Sequence, residues 1–293
     1  MHIYGKDPMS LLVTGASGHL GRLVVDALLD RGVAASDIRA GARNTAKIAD
    51  LAERGVQTVH LDYDEPATVA DAMAGVDRVL LISGSEVGRR VAQHQAVIDA
   101  AAAAGVAQLV YTSAPRATTS ALVLAPEHKA TEEAIVTSGL PATVLRNNWY
   151  NENYLATLDQ ARESGAVVSG TGAGRVASAS RRDFAEAAAV VLTTDGHLGA
   201  VYELGGDDAW DFTELAATIG EVLGRGVSYV AQTAQEQAAA LEAAGLDAGT
   251  VGFVVALDGN IRDGLLGDVT GELSRLIGRP TTPIAETLRS AQS

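Results

Sequence analysis

The sequence predicts an α/β fold, a doubly wound parallel sheet followed by a smaller α/β lobe towards the C-terminus. Three observations carry this. Short β-branched runs alternate with alanine-rich helical stretches through the first half, the pattern of βαβ units. A glycine-rich turn separates the first of these strands from the first helix. The regular alternation stops near residue 146, after which the elements become less periodic.

Taken in order, Ser10–Val13 reads as the first strand and Leu20–Asp30 as the first helix. Ile38–Ala42 is the second strand, with a helix from about Thr45 to Arg54. Val56–Leu61, Arg78–Ile82, Leu109–Thr112 and Ala142–Leu145 are the next four strands. The helices between them begin near Glu65, run from Val87 to Ala104 up to Gly105, and span Glu127–Ser138. Six strands with crossover helices complete a doubly wound sheet. Beyond it, Arg182–Leu192, Phe212–Leu223 and Gln232–Leu246 read as helices and Ala200–Leu204 as a strand. The expected division is a core over 9–150 and a smaller substrate lobe over 151–293, with some return to the core. The lobe is expected to pack over the carboxyl edge of the sheet, being too poor in continuous core to stand alone. Met1–Pro8 fits no element and reads as a leader, with Met9 the natural start.

Composition narrows the function classes. With no cysteine, disulfides, thiolate metal sites and cysteine nucleophiles are excluded. A net charge of −14 argues against a nucleic-acid surface, which needs clustered Lys and Arg. No segment approaches the roughly 18 apolar residues of a membrane span, and the start shows no basic region followed by an apolar stretch. A cytoplasmic protein with no membrane partner is expected, with a homodimer left open. No histidines and acids are spaced as metal ligands, so no metal is expected. His94, alone on its helix, reads as structural or solvated.

The sharpest motif is Thr14-Gly15-Ala16-Ser17-Gly18-His19-Leu20-Gly21, a G-x-x-G-x-x-G turn between strand and helix. That context makes the sheet Rossmann-type: Gly15 permits the turn, Gly18 admits a pyrophosphate, and Gly21 lets the helix sit close. The phosphates would rest on the helix amino end. After the second strand an NAD site places an acid on the ribose; here stands Arg43, 22 residues past Gly21. A guanidinium can grip a 2′-phosphate bidentately, with Lys47 one turn on, so the expected cofactor is NADPH. Asp62 with Tyr63, and Ser83-Gly84-Ser85, end two further strands at the same crevice, where plain turn chemistry would also account for them.

Ser113 ends the fifth strand, but the Tyr-x-x-x-Lys pair that would protonate an alkoxide is absent. Leu124 and His128 occupy its places. A ketone reductase would miss that acid, whereas a quinone, reduced to a weakly basic phenolate-like product, would not. Arg146-Asn147-Asn148-Trp149-Tyr150-Asn151-Glu152-Asn153-Tyr154 concentrates aromatics and amides in a chain that is 4% aromatic. It reads either as a pocket for a flat acceptor or as a packing seam. Ser113, Asn147 and Tyr150 are the candidate substrate-positioning residues. The glycine-rich Ser169-Gly170-Thr171-Gly172-Ala173-Gly174 run has no helix directly after it and reads as a lid or turn.

These stretches, together with Leu81–Gly88, Tyr111–Ser113, Glu127-His128, Val201–Trp210 and Leu276–Thr282, resemble the NmrA-like branch of atypical short-chain dehydrogenases. Within it they look most like the bacterial type 2 NADPH-dependent quinone oxidoreductases, over nearly all of residues 9–289. The resemblance implies NADPH at Gly15–Leu20, Arg43, Ser83–Ser85, Val87 and the Ser169–Gly174 run, and flavin-free two-electron reduction of a quinone-like acceptor. Gly84, where serine is expected, and Asn148, where a smaller residue is commoner, depart from the pattern. Relatives in this branch also include triarylmethane-dye reductases and regulators that bind the cofactor without chemistry, so a redox sensor, or a reductase of a dye, imine or activated alkene, stands as the alternative.

Overall fold

The computed structural model describes residues 9–292; the expected leader lies outside them. In chain order the elements are β1 (Leu11–Val13), α1 (His19–Asp30), β2 (Ile38–Ala42), α2 (Ala49–Glu53), β3 (Gln57–His60), α3 (Pro66–Met73), β4 (Arg78–Leu81), α4 (Arg90–Ala104), β5 (Gln108–Ser113), α5 (Ala125–Ser138) and β6 (Ala142–Asn147). There follow α6 (Leu155–Ser164), β7 (Ala166–Ser169), β8 (Arg175–Val176), α7 (Arg181–Thr193), β9 (Val201–Leu204), β10 (Trp210–Asp211), α8 (Phe212–Leu223), β11 (Ser228–Ala231), α9 (Ala234–Ala243), α10 (Ala248–Arg262), α11 (Glu272–Ile277) and α12 (Ile284–Ser290).

The chain forms two compact units. The first holds the residues up to Ala114, Pro126–Arg146 and Phe184–Tyr202; the second holds Pro115–Ala125, Asn147–Asp183 and the chain from Glu203. The sequence reading places a boundary at 150 with some return to the core; in the structure the chain changes unit at several points. Residues 115–125 leave the first unit, and 184–202 return to it because α7 is buried on its apolar face: Ala185, Ala188, Val191 and Leu192 are all buried.

The first unit is a seven-stranded sheet in the order β3-β2-β1-β4-β5-β6-β9. The ladders from β3 to β6 are parallel. β9 continues in the same sense, Ala200 accepting from Val144 and Leu204 from Asn148. Central strands read as unbroken apolar runs because helices cover both faces: Leu11–Val13 and Val79–Leu81 are wholly buried, whereas edge strand β3 is half-exposed. The order reverses between β1 and β4, the switch point where such sheets open a ligand crevice at their carboxyl ends. The predicted six strands are present, with β9 the seventh.

The second unit has a core of its own. Tyr154, Trp210 and Phe212 meet edge to face or tilted, with ring centroids 4.8–5.9 Å apart. Leu215 and Ile219 of α8, and Val167 of β7, are fully buried. Two small sheets, β11 with β7 and β10 with β8, complete it. The sequence predicts too little core here because its apolar positions are scattered over short elements. Helix α10, with Gly249, Gly252 and Gly259 inside it, shows no amphipathic stripe to announce it.

Candidate functional site

The turn after β1 is built from its glycines. Gly15 has φ +61°, a left-handed conformation that side chains resist. A Cβ on Gly21 would lie 2.4 Å from the Gly15 carbonyl oxygen and 2.7 Å from Ala16 Cα, so the helix meets the turn without room for one. Gly18 is the N-cap; its N–H donates to Gly15 O at 2.9 Å. No side chain caps α1 and no acid stands in its first turn. Its amino end therefore presents free N–H groups and the positive end of the helix dipole with no acid in its own first turn, a favourable setting for an anion. Ala16 and Leu20 are buried, while Gly18 and His19 are exposed and Ser17 half-buried.

Thr14 ties the switch point together. Its hydroxyl donates to Leu80 O at 3.0 Å and accepts from Ile82 N–H at 3.0 Å. The Tyr63 hydroxyl lies 2.5 Å from Thr14 Oγ1 and 3.0 Å from Ile82 O, and burial pushes its pKa up. Tyr63 is thus a brace of the crevice. Asp62, expected near the cofactor, accepts from Asp64 N–H at 3.0 Å.

The segment after β4 is held by side chains along its length. Ser83 N–H donates to Thr112 Oγ1 at 2.9 Å, Gly84 N–H to His94 Nε2 at 2.9 Å, and Gly88 N–H to Glu127 Oε1 at 2.7 Å. Arg90 Nε donates to Gly84 O at 2.6 Å. Gly84 fits because a Cβ there would press on Gln93 Oε1 at 3.1 Å. Ser85 and Val87 face outward, Val87 being 67% exposed. His94 is structural, as read, but it acts on the crevice. Since Nε2 accepts, Nδ1 carries the proton and bonds Thr131 Oγ1 at 2.9 Å. Burial first, then the charge of Arg90 and the neighbouring His128, bring its pKa down to about 3. The sequence missed this brace because a lone histidine has no local signature.

Arg43, at the end of β2, is exposed, and its Nη1 lies 3.1 Å from Glu86 Oε1. Ser113 lies at the end of β5 as expected, but its hydroxyl donates to Glu132 Oε1 at 2.5 Å. Glu132 takes both arms of Arg146, Nε at 3.0 Å and Nη2 at 2.6 Å. The Ser113 proton is committed there, leaving a lone pair for any further partner. The Tyr111 hydroxyl and His128 Nδ1 share a hydrogen bond of 2.7 Å. Burial raises Tyr111 and lowers His128 to about 3, so both are uncharged near neutral pH and Tyr111 is a weakened acid.

In the second unit the aromatic–amide run divides. Asn148 donates to Leu266 O at 3.1 Å and accepts from Trp149 N–H at 2.8 Å. Asn151 donates to Thr282 O and Thr287 Oγ1, and Tyr154 packs on Trp210. These contacts pack within the second unit, and the departure at Asn148 faces backbone. Asn147 differs: its Oδ1 is buried without a hydrogen-bond partner, and its Nδ2 lies 3.5 Å from the Tyr150 hydroxyl. Arg181 stands 5.0 Å from the centre of the Tyr150 ring. The Ser169–Gly174 run is tied down on α10: Gly170 N–H donates to Asp258 Oδ2 at 2.8 Å and Arg262 Nη1 to Gly170 O at 3.0 Å. A Cβ on Gly174 would lie 2.2 Å from Ile261 O, and Ser169 Oγ lies 2.7 Å from Thr171 Oγ1. Close packing accounts for Gly170 and Gly174; Gly172 has φ +57°, and Ala173 lies between them.

A family model described as NAD(P)H-binding matches residues 15–195. The chain belongs to the NAD(P)H-binding family. It is 45% identical over 278 residues to quinone oxidoreductase 2 of Escherichia coli, covering 95% of this chain and 97% of that protein. A solved structure of the Escherichia coli NADPH-dependent quinone oxidoreductase complexed with NADPH superposes with a TM-score of 0.93 at 44% identity, over 97% of this chain and all of that one. The Citrobacter triphenylmethane reductase complexed with NADP(H) gives 0.91 at 38% identity, again over 97% of this chain and all of that one. The expected NmrA-like, Rossmann-type membership is thereby established. Among the described residues no helix is long and apolar enough to cross a membrane.

Proposed function

We propose that this protein reduces quinones with NADPH by direct hydride transfer, without a flavin. The observation that carries the reading is the near full-length likeness, at 45% identity, to a protein named quinone oxidoreductase 2. The geometry agrees with it. The uncapped amino end of α1 at the switch point suits a pyrophosphate, and Arg43 at the end of β2 suits a 2′-phosphate. Bound there, the dinucleotide would supply the hydride. The braced backbone of Ser83–Ser85 gives it a fixed wall, so positioning carries much of the catalysis.

The side chains on hand favour an acceptor that needs no acid. Tyr111 and His128 are held neutral and paired to each other, and the Ser113 proton is bonded to Glu132. Proton donation is typically worth about 10²–10⁴-fold in rate, so acceptors that become basic alkoxides are disfavoured. We assign Asn147, with its unpartnered buried oxygen, and Tyr150 to positioning the acceptor. A second reading, a flat cationic dye, is supported by the fit to the triphenylmethane reductase.

The test is NADPH absorbance loss with purified protein and no added flavin, against benzoquinone, a naphthoquinone, a triarylmethane dye and an aliphatic ketone at matched concentration. Fast quinone turnover with negligible ketone turnover is expected. Ketone turnover rivalling quinone would overturn the argument from the missing acid. Tight NADPH binding with no turnover of any acceptor would make the protein a cofactor-binding regulator.

A further inference from the structure

We propose that Glu86 sets the strength of the preference for a 2′-phosphorylated dinucleotide, by competing with that phosphate for Arg43. The inference rests on the reading that Arg43 receives the phosphate. The end of β2 carries no carboxylate, which in sequence marks an NADP-type site. The fold nevertheless brings one in from the segment after β4: Glu86 Oε1 stands 3.1 Å from Arg43 Nη1.

Glu86 is anchored from behind. Its other oxygen is 3.0 Å from Arg89 Nη1 and 3.4 Å from Gln93 Nε2. Arg89 Nη2 in turn reaches Asp64 Oδ2 at 2.9 Å, and Gln93 Nε2 reaches Asp64 Oδ1 at 3.2 Å. Asp64, Arg89, Glu86 and Arg43 thus form a chain of alternating charge whose formal sum is zero. Arg43 is the outer member, its side chain 66% exposed, and it can turn away. Glu86 cannot follow without giving up Arg89.

A phosphate arriving at Arg43 therefore exchanges one anion for another and comes to rest beside a carboxylate that stays. Repulsion between charges a few ångströms apart at a half-exposed site persists, weakened but not removed by solvent. A cofactor with a free 2′-hydroxyl brings no second anion, and its hydroxyl can donate to Glu86. The carboxylate thus narrows the gap between NADPH and NADH from both sides. Specificity here is a difference of two affinities, and one residue of the wrong sign lowers it.

The experiment titrates NADPH and NADH by nucleotide fluorescence into the full-length protein and its Glu86→Gln, Arg43→Ala and doubly substituted forms, with thermal midpoints recorded alongside. Glu86→Gln should tighten NADPH about 3–10-fold, leave NADH unchanged or weaker, and leave the midpoint in place; the gain for NADPH should be much smaller in the Arg43→Ala background, where no guanidinium is left to compete for. Weaker NADPH binding by Glu86→Gln, or an equal shift for both nucleotides, would overturn the proposal. Equal loss of both nucleotides in Arg43→Ala would instead remove the phosphate reading beneath it. Selective loss of NADPH in Arg43→Ala with no selective gain in Glu86→Gln would sink the Glu86 proposal alone.

Discussion

Acidification should destabilise the first unit through two histidines. His94 and His128 are buried, and both are pushed down from an ordinary value of 6.5 to about 3, burial being the larger cause and the charge of Arg90 the next. Around His94 stand Tyr63, Tyr111, Thr131, Arg90 and His128, and around His128 stand Tyr111 and Arg90. A base whose folded pKa is depressed is protonated first in the unfolded chain. Its contribution is therefore complete above about pH 6.5 and is lost as pH falls towards 3. At pH 5 the unfolded chain has gained about 1.5 pH units of protonation free energy per histidine, about 2 kcal/mol each. Together that is about 4 kcal/mol, against total stabilities of roughly 5–15 kcal/mol. Urea unfolding at pH 8 and pH 5 measures it. Far-UV circular dichroism is the right signal, because Trp149 and Trp210 both belong to the second unit. The midpoint should fall sharply at pH 5, and His128→Gln should remove about half of the difference. Equal midpoints at the two pH values would refute the claim that these histidines are buried neutral.

Two further outcomes follow from the geometry. Gly18→Val places a branched side chain at the cap of α1, where even a Cβ would be 3.2 Å from Gly15 O; NADPH binding by calorimetry should fall more than tenfold while the far-UV spectrum is kept. Glu132→Gln removes the carboxylate charge that takes both arms of the Arg146 guanidinium, 12% exposed, and the Ser113 hydroxyl; stability by urea unfolding should fall by about 1–3 kcal/mol, and an unchanged midpoint would show that the pair adds nothing.

What could be read from the sequence were the features encoded locally. The six strands, the glycine turn and the basic tip of β2 each rest on neighbours in the chain, through β-branched runs, glycine spacing and a position relative to Gly21. The braces could not be read this way. Glu86 reaches Arg43, His94 reaches Gly84 and Glu132 reaches Ser113 only after the sheet has ordered its strands, and a single charged or imidazole residue carries no mark of a partner that far along the chain. The same holds for Asn148 and Asn151. They stand in one run with Asn147, but their partners, Leu266, Thr282 and Thr287, lie far down the sequence. Asn147 kept an unpartnered oxygen and they did not, a distinction invisible in composition.

The return of 184–202 to the first unit has a consequence for synthesis of the protein on the ribosome. The sheet cannot be closed by β9 until residues up to Leu204 have emerged, well after β6 is complete at Asn147. At roughly 5–20 residues per second, the intervening stretch takes on the order of 3–11 s to translate. Throughout that interval β6 is the open margin of a nearly finished sheet, offering unpaired N–H and carbonyl groups to any other nascent strand. Ribosome pausing within that stretch, or truncation shortly after Asp183, should therefore yield aggregated rather than shortened soluble product, and chaperone dependence should be greatest there.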